Sequence, residues 1–253
     1  MLRVAPRNAG LALVLPFNPW CLRNQTLRIN GGKWYLPAMT ALPIDLEAFA
    51  AAPVTREPFP YAMVPRFIRR DAMTAINADY PLVDLPGSFP LPTLKYGPAF
   101  AQLMAAIQGA EFTRAAGQKL GMDLSGRPTM VTARGVSAAR DGQIHTDSRT
   151  KLVTVLIYMN NSWEAPTGRL RLLRGPGNLE DMIAEVPPDE GTLLIFKNEP
   201  NAWHGFHAFE GPRRVIQLNW VTDMGVVRRE QTRHRISAFF KRLRGKQPAA
   251  ERM

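Results

Sequence analysis

The chain has little cysteine, few histidines and no long apolar run. Its 253 residues include a single cysteine, Cys21, which excludes an internal disulfide and a cluster of thiolate metal ligands. This usage favours a reducing compartment, and we expect a cytoplasmic protein. No stretch is apolar over the about 20 positions that a bilayer span needs. With 45% hydrophobic residues the chain can nevertheless bury a full core.

Acidic residues are also missing where the basic ones concentrate. Residues 1–38 hold five basic residues and no acid, and residues 228–246 hold eight basic residues and one acid. The segment between them is close to neutral, so the net charge of +11 belongs to the two ends. A charge confined to the ends predicts no specific nucleic-acid partner.

These shifts in composition suggest three regions. We expect residues 1–38 to be a basic N-terminal extension with little order, residues 39–227 to be the folded domain, and residues 228–253 to be a basic C-terminal helix and tail. The predicted C-terminal helix, 228–244, either packs its apolar face on the domain, or contacts an anionic membrane surface or a nucleic-acid backbone. The oligomeric state does not follow from the sequence.

Periodicity predicts a mainly β fold with flanking helices, an α+β protein. Helices are predicted at 70–78, 99–108 and 111–121, where apolar residues recur three and four apart. Short strands separated by Gly and Pro turns follow, and these features are typical of a β-sandwich or jelly roll. The predicted strands are 129–134, 151–159, 168–174, 182–186, 191–197, 202–208 and 213–221.

A histidine and an aspartate lie two positions apart just before the second of these strands. His145 and Asp147 point to the same side of an extended chain, so both can reach one metal ion. Two histidines and a carboxylate on one face of an octahedron suit Fe(II) with open positions for other ligands. The third ligand is then His204 or His207, both in the predicted strand 202–208.

An arginine follows on the last predicted strand. Arg214 shares a strand face with Ile216, Leu218 and Trp220, whereas Arg213 shares the opposite face with more polar residues. An arginine on an apolar, inward face needs an anionic partner, which a dicarboxylate could supply through a bidentate pair. The alternation therefore favours Arg214 over Arg213 for this role.

Taken in order, His145-x-Asp147, then His204 57 residues later, then Arg214 resemble the 2-oxoglutarate/Fe(II)-dependent dioxygenase superfamily. The likeness is greatest to its prolyl-4-hydroxylase-like branch. Three further stretches match that branch: "KLVTVLIYMNNSW" after the His-x-Asp, "GRLRLL", and "PPDEGTLLIF". The resemblance covers about residues 127–222.

The resemblance implies a fold, cofactors and residue roles. The fold would be a double-stranded β-helix, the cupin-like jelly roll, supported by N-terminal helices and a C-terminal helix. His145, Asp147 and His204 would be catalytic and bind Fe(2+), and Arg214 and Tyr158 would bind the cosubstrate 2-oxoglutarate. O2 would be the oxidant, and ascorbate is a candidate further reductant.

The reaction implied is hydroxylation of a substrate coupled to oxidative decarboxylation of 2-oxoglutarate to succinate and CO2. Two substrate classes stay open, a peptide, as for a prolyl-type hydroxylase, and a small molecule. A third alternative is a non-catalytic jelly-roll binding module that retains the metal. A nucleic-acid demethylase is disfavoured, since Trp220 stands where that part of the superfamily has a second arginine.

Overall fold

The computed structural model describes the backbone of residues 29–30 and 33–34, and residues 41–229 in full. Contacts divide the chain into two units, residues 1–41 and 42–253. In the first unit the described part is an antiparallel pair of two-residue strands, β1 (Ile29–Asn30) and β2 (Lys33–Trp34). Everything below concerns the second unit. Residues 224–229 are helical, so the predicted C-terminal helix, 228–244, lies outside the described residues except for 228–229.

Four helices lie in the first half of the described domain. They are α1 (Leu46–Ala51), α2 (Arg70–Ala78), α3 (Pro98–Ile107) and α4 (Ala110–Leu120). Local sequence explains their ends: the Asp45 carboxylate accepts the Ala48 N–H and caps α1, and Pro98 occupies the first turn of α3. Helix α4 ends at Gly121, whose φ of 67° is the left-handed conformation that glycine adopts at low cost.

Nine strands form the second unit's two antiparallel sheets in the described residues. They are β3 (Tyr61–Val64), β4 (Phe89–Pro90), β5 (Thr129–Ser137), β6 (Lys151–Tyr158), β7 (Leu170–Leu173), β8 (Met182–Val186), β9 (Leu193–Lys197), β10 (His204–Gly205) and β11 (Gly211–Val221). The main sheet has the order β3-β9-β6-β11-β5-β4, and the minor sheet has the order β10-β7-β8. The predicted strands are all present, although 202–208 shortens to two residues.

Two apolar clusters hold these layers together. The larger joins the helices to one face of the main sheet, and the smaller joins the other face of that sheet to the minor sheet. Phe112 of α4, for example, packs against Trp220 of β11 with ring centroids 5.8 Å apart. Two facing antiparallel sheets with helices outside one of them confirm the predicted double-stranded β-helix. No helix among the described residues is long and apolar enough to span a bilayer.

Candidate active site

A cavity of about 420 Å³ lies between the two sheets. This volume is in the range of about 300–1,000 Å³ usual for small-molecule pockets. Its floor is formed by β5, β6 and β11 of the main sheet, and its far wall by β10 with the loop before β6. The predicted residues His145, Asp147 and His204 all line it.

Backbone pairing brings the two histidines together across 59 positions of sequence. His145 N–H donates to the His204 carbonyl at 3.0 Å, and His204 N–H donates to the His145 carbonyl at 2.9 Å. The loop before His145 can approach β10 closely because Gly142 has no side chain: a Cβ there would lie 2.2 Å from the Phe206 carbonyl oxygen. Gly142 also has a φ of 96°, which favours glycine.

Hydrogen bonds from the ring nitrogens fix the tautomer and the ring orientation of both histidines. His145 Nδ1 lies 2.8 Å from the Gln143 carbonyl oxygen, and His204 Nδ1 lies 2.9 Å from that of Ala202. A carbonyl only accepts, so Nδ1 carries the proton and Nε2 keeps its lone pair for a metal. Burial lowers the pKa of His204 to about 4, and the nearby His145 adds to this effect, so the His204 ring is neutral at neutral pH.

Asp147 is held by polar neighbours on both of its oxygens. Lys151 Nζ donates to Oδ1 at 2.6 Å, and the Thr154 hydroxyl donates to Oδ2. Thr154 in turn accepts from Asn219 Nδ2 at 2.8 Å. Burial raises the pKa of the Asp147 carboxyl, but Lys151, His204 and these hydrogen bonds outweigh it and leave the pKa below its ordinary value. Asp147 is therefore a carboxylate in a preformed position.

The three side chains fit a divalent metal of intermediate hardness. One ligand atom from each of His145, Asp147 and His204 lies within 4.8 Å of the others, and this trio is a potential metal site in the described part of the chain. Two imidazoles and one carboxylate with no thiolate suit Fe(II), and the open cavity leaves room for further ligands.

Of the two adjacent arginines of β11, Arg213 lines the cavity and Arg214 does not, so the expectation that Arg214 faces the site is wrong. Arg213 is 5% exposed, lines the cavity and donates from Nε to the Gly168 carbonyl at 2.8 Å. Arg214 is exposed on the other side of the strand, with its guanidinium 5.3 Å from the Tyr80 ring centroid.

The error has a physical reason. The main sheet is covered on both faces, and the more apolar face of β11, with Ile216, Leu218 and Trp220, packs against the helices. The opposite face, with Val215 and Gln217, faces the cavity. The most apolar face of the strand was therefore the supporting face and not the functional one.

Tyr158 lies beside Arg213 in the wall between the sheets. Its side chain is fully buried, and its hydroxyl has no hydrogen-bond partner among the described residues. The Arg213 guanidinium lies 5.5 Å from the Tyr158 ring centroid. Burial raises the pKa of the Tyr158 hydroxyl, so it keeps its proton and can donate to an incoming ligand. Among the described residues Arg213 has no carboxylate partner either, so both side chains fit a bound dicarboxylate.

His207, the alternative third ligand, lies elsewhere. It is at the outer side of the minor sheet, with Nε2 2.6 Å from Glu180 Oε1 and 3.0 Å from Arg171 Nη1. It belongs to a surface network and does not line the cavity.

Several supporting contacts of the site were not identified from the sequence. Lys151, Thr154 and Asn219 support Asp147, and Asn198 donates to the carbonyls of Ser148 and Lys151, which holds the turn after the Asp. Lys151 and Thr154 lie four and seven positions after Asp147, whereas the contacts of Asn198 and Asn219 join residues 47 or more positions apart.

Comparison with known proteins agrees with this geometry. Residues 135–222 match the family model of the 2OG-Fe(II) oxygenase superfamily. A search of curated proteins returns no match.

Solved structures with a similar chain course include three oxygenases. A prolyl-4-hydroxylase of Pseudomonas putida is 16% identical, with a TM-score of 0.47 over 70% of this chain and 92% of that one. A 2OG-Fe(II) oxygenase family oxidoreductase of Burkholderia pseudomallei is 14% identical, with a TM-score of 0.41 over 64% and 84%. The collagen prolyl hydroxylase of Paramecium Bursaria Chlorella virus-1, solved with 2OG, is 13% identical, with a TM-score of 0.42 over 64% and 96%.

The matched segment begins near the end of β5 and ends just after β11, so it contains the His145, Asp147 and His204 trio. The residues of β5 that line the cavity precede it. Enzymes of the matched superfamily use Fe(II), 2-oxoglutarate and O2. Residues 135–222, which contain the His145, Asp147 and His204 trio, are thus similar to the 2OG-Fe(II) oxygenase superfamily.

Proposed function

We propose that the protein is an Fe(II)- and 2-oxoglutarate-dependent dioxygenase that hydroxylates a substrate bound in the cavity between the sheets. One oxygen atom of O2 enters the substrate as a hydroxyl group, and the other enters the succinate that forms as 2-oxoglutarate loses CO2. The observation that carries the proposal is the convergence of three ligand candidates and a buried, carboxylate-free arginine on one cavity.

The metal would be held by Nε2 of His145, Nε2 of His204 and the Asp147 carboxylate. Bound Fe(II) supplies a centre that activates O2, with 2-oxoglutarate as the two-electron reductant. The protein's own contribution is to fix these ligands before the metal arrives: the Nδ1 hydrogen bonds set the histidine tautomers, and Thr154 and Lys151 orient the carboxylate.

The distal carboxylate of 2-oxoglutarate would pair with Arg213, in place of the arginine favoured by the sequence. The Nε–H of Arg213 is already used by the Gly168 carbonyl, which leaves its terminal nitrogens to form a bidentate pair. Tyr158 would donate its hydroxyl to the same carboxylate, and this contact would satisfy a group that has no partner otherwise. Their burial would exclude water from the pair and strengthen it.

The test compares two histidines. Mn(II) binding is measured by calorimetry, and succinate formation from 2-oxoglutarate by NMR with Fe(II) present. We expect the wild-type protein to bind one Mn(II) and to form succinate, and His145→Ala to lose both. His207→Ala is the matched control, because it removes a histidine outside the cavity, and it should retain both properties.

Two results would contradict the proposal. A wild-type protein that binds neither Mn(II) nor 2-oxoglutarate has no such site. A protein that binds both but forms no succinate, alone or with any member of a broad substrate panel, is a metal-retaining binding module.

A further inference from the structure

Half of the cavity floor is not used by the proposed roles. Antiparallel pairing places side chains in rows across the three floor strands, since residues directly opposite each other point to the same face. The rows, written in the order β6, β11, β5, are Tyr158–Val215–Arg134, Leu156–Gln217–Thr132 and Thr154–Asn219–Met130. The β6 side holds Tyr158 and the support for Asp147. The β5 side, with Arg134, has no assigned role.

The β5 side is the open side of the cavity. The apolar cluster between the sheets joins the minor sheet to β3, β6, β9 and β11, and no residue of β5 belongs to it among the described residues. The rim there is formed by Ser88, before β4, and by Asp141, in the turn after β5. The Arg134 side chain is 30% exposed, whereas Arg213 is 5% exposed. A molecule that enters from solvent therefore meets Arg134 before it reaches Arg213.

The Arg134 guanidinium is held in place but not saturated. Its Nε donates to Ser88 Oγ at 2.8 Å, which orients the planar group. Its Nη1 is 3.5 Å from Asp141 Oδ2, an oxygen that already accepts from Ala138 N and Ser137 Oγ. Nη2 has no hydrogen-bond partner in the described part of the chain. A fixed guanidinium with a free Nη2, and an Nη1 engaged only in a long ion pair with Asp141, is suited to bidentate binding of a carboxylate.

Charge balance indicates the charge of the ligand. The cavity is lined by three cations, Arg134, Lys151 and Arg213, and by two carboxylates, Asp141 and Asp147. Both histidines donate Nδ1–H to carbonyls, and as ligands through Nε2 they are neutral. The two positive charges of Fe(II) and the two negative charges of 2-oxoglutarate cancel, so the loaded cavity keeps one net positive charge. It therefore favours a substrate with a single negative charge, such as a carboxylate, over a dianionic phosphate monoester.

We propose that Arg134 binds a carboxylate of the substrate, so that the enzyme hydroxylates a small carboxylic acid and not an internal residue of a peptide. The inference rests on the proposed function, because it assumes that 2-oxoglutarate occupies the Arg213 side. The half-buried position of Arg134 on the solvent side of the floor would leave the far end of the acid directed toward the metal ligands. A free amino acid and the C-terminus of a peptide share this chemistry, and the experiment separates them.

The experiment uses the full chain loaded with Mn(II) and an inert 2-oxoglutarate analogue. The probes are free amino acids and monocarboxylic acids of four to eight carbons, each beside its primary amide, and tetrapeptides with free or amidated C-termini. Binding is read from Mn(II)-induced broadening of probe NMR signals, which also reports closeness to the metal. We expect at least one acid to bind about tenfold more tightly than its amide, and free acids to bind more tightly than tetrapeptides.

Variants locate the effect. Arg134→Gln should abolish the preference for acid over amide while the affinities for Mn(II) and 2-oxoglutarate change by less than about twofold. Arg134→Lys should keep part of the preference, since it retains the charge but not the planar fork. Arg114→Gln, which removes an exposed arginine on α4, is the matched control and should behave as wild type.

Three outcomes would overturn the inference. Acids and amides that bind the wild type equally would show that no carboxylate is recognised. Tetrapeptides that bind more tightly than free acids would identify a peptide substrate. Loss of 2-oxoglutarate affinity in Arg134→Gln would show that Arg134 belongs to the cosubstrate. Each of these leaves the wild type able to bind Mn(II) and 2-oxoglutarate and to form succinate, whereas failure of the proposed function removes at least one of these three properties.

Discussion

From Val215 onward the two faces of strand β11 are both largely buried, but they carry different kinds of side chain. Toward the helices it presents Ile216, Leu218 and Trp220, all fully buried in the larger apolar cluster. Toward the cavity it presents a mixed face, and Gln217 and Asn219 there make hydrogen bonds to each other and to β6. One strand thus supplies both the support of the sheet and the floor of the site.

The difference shows where function can be placed in a covered sheet. The helix face is close-packed, and a polar group there would lose its water without gaining a partner. The cavity face keeps space and polar partners, so it can hold Arg213 and accommodate ligands. We therefore expect substitutions on the helix face to change mainly stability, and substitutions on the cavity face to change mainly binding.

The largest effect is expected from Trp220→Ala on the helix face. Trp220 is fully buried against Phe112, and its removal leaves a large cavity among helices and sheet. The free energy of unfolding should fall by about 3–5 kcal/mol in urea titrations followed by circular dichroism. The fraction that stays folded should bind Mn(II) as wild type does. If the variant instead lost Mn(II) affinity at full stability, the assignment of this face to support would be wrong.

Next in size is the contrast between the two adjacent arginines. Arg213→Met should weaken 2-oxoglutarate binding by about 100-fold, because it removes one partner of a buried charge pair. It should not lower the stability of the ligand-free protein, since a buried guanidinium without a carboxylate is itself unfavourable. Arg214→Met is the matched control and should leave the affinity within about twofold. Calorimetry with 2-oxoglutarate on the Mn(II)-loaded protein measures both, and the reverse ranking would restore the arginine favoured by the sequence.

Much of the fold followed from local sequence. Apolar residues three and four apart predicted helices over 99–108 and 111–121, and the structure has them at Pro98–Ile107 and Ala110–Leu120. Strand positions followed from alternation and from Gly and Pro turns. His145 and Asp147 were recognisable as a pair because the two-residue period of an extended chain puts both on one side. The family match confirmed the resemblance stated for this region.

The sequence could not show which face of a strand would line the site or which side chains would meet there, because both depend on the packing of the folded chain. Alternation along β11 identified its two faces but not which face the helices would cover, and so it favoured Arg214 over Arg213. The proposed role of Arg134 depends on its pairing in one row with Val215 and Tyr158 across the sheet, and this row is known only from the strand register. The links of Lys151 and Thr154 to Asp147 likewise depend on how the loop before β6 folds back over that strand.

A smaller effect is expected from Lys151→Met, which should lower the stability of the metal-free protein but increase its affinity for Mn(II). The variant removes the cation that pairs with Asp147, whose side chain is 7% exposed. The metal-free protein should lose about 1–3 kcal/mol of stability, because a nearly buried carboxylate loses its counter-charge. Mn(II) should bind more tightly, by about tenfold, since a competing positive charge has gone.

Thermal melts with and without Mn(II) check the Lys151 prediction. The difference in stability between Lys151→Met and the wild type should shrink as Mn(II) is added. Lys197→Met is the matched control, since it breaks a more exposed pair with Glu199 and should cost less than about 1 kcal/mol. Weaker Mn(II) binding in Lys151→Met would contradict the expectation and indicate that Lys151 is needed to orient the carboxylate.

The smallest change in stability is expected from Gln217→Leu, on the cavity side of β11. Gln217 is half-buried, lines the cavity and donates to Asn219 Oδ1 at 3.2 Å. Its loss should alter the free energy of unfolding by no more than about 1 kcal/mol, because Asn219 keeps its bond to Thr154 and the new methyl groups face open space. The neighbouring Leu218→Gln is the reciprocal variant and should cost several times more, since it buries an amide in the helix cluster. Urea titrations of the pair measure the contrast directly, and equal losses would mean that the two faces of β11 do not differ as the packing indicates.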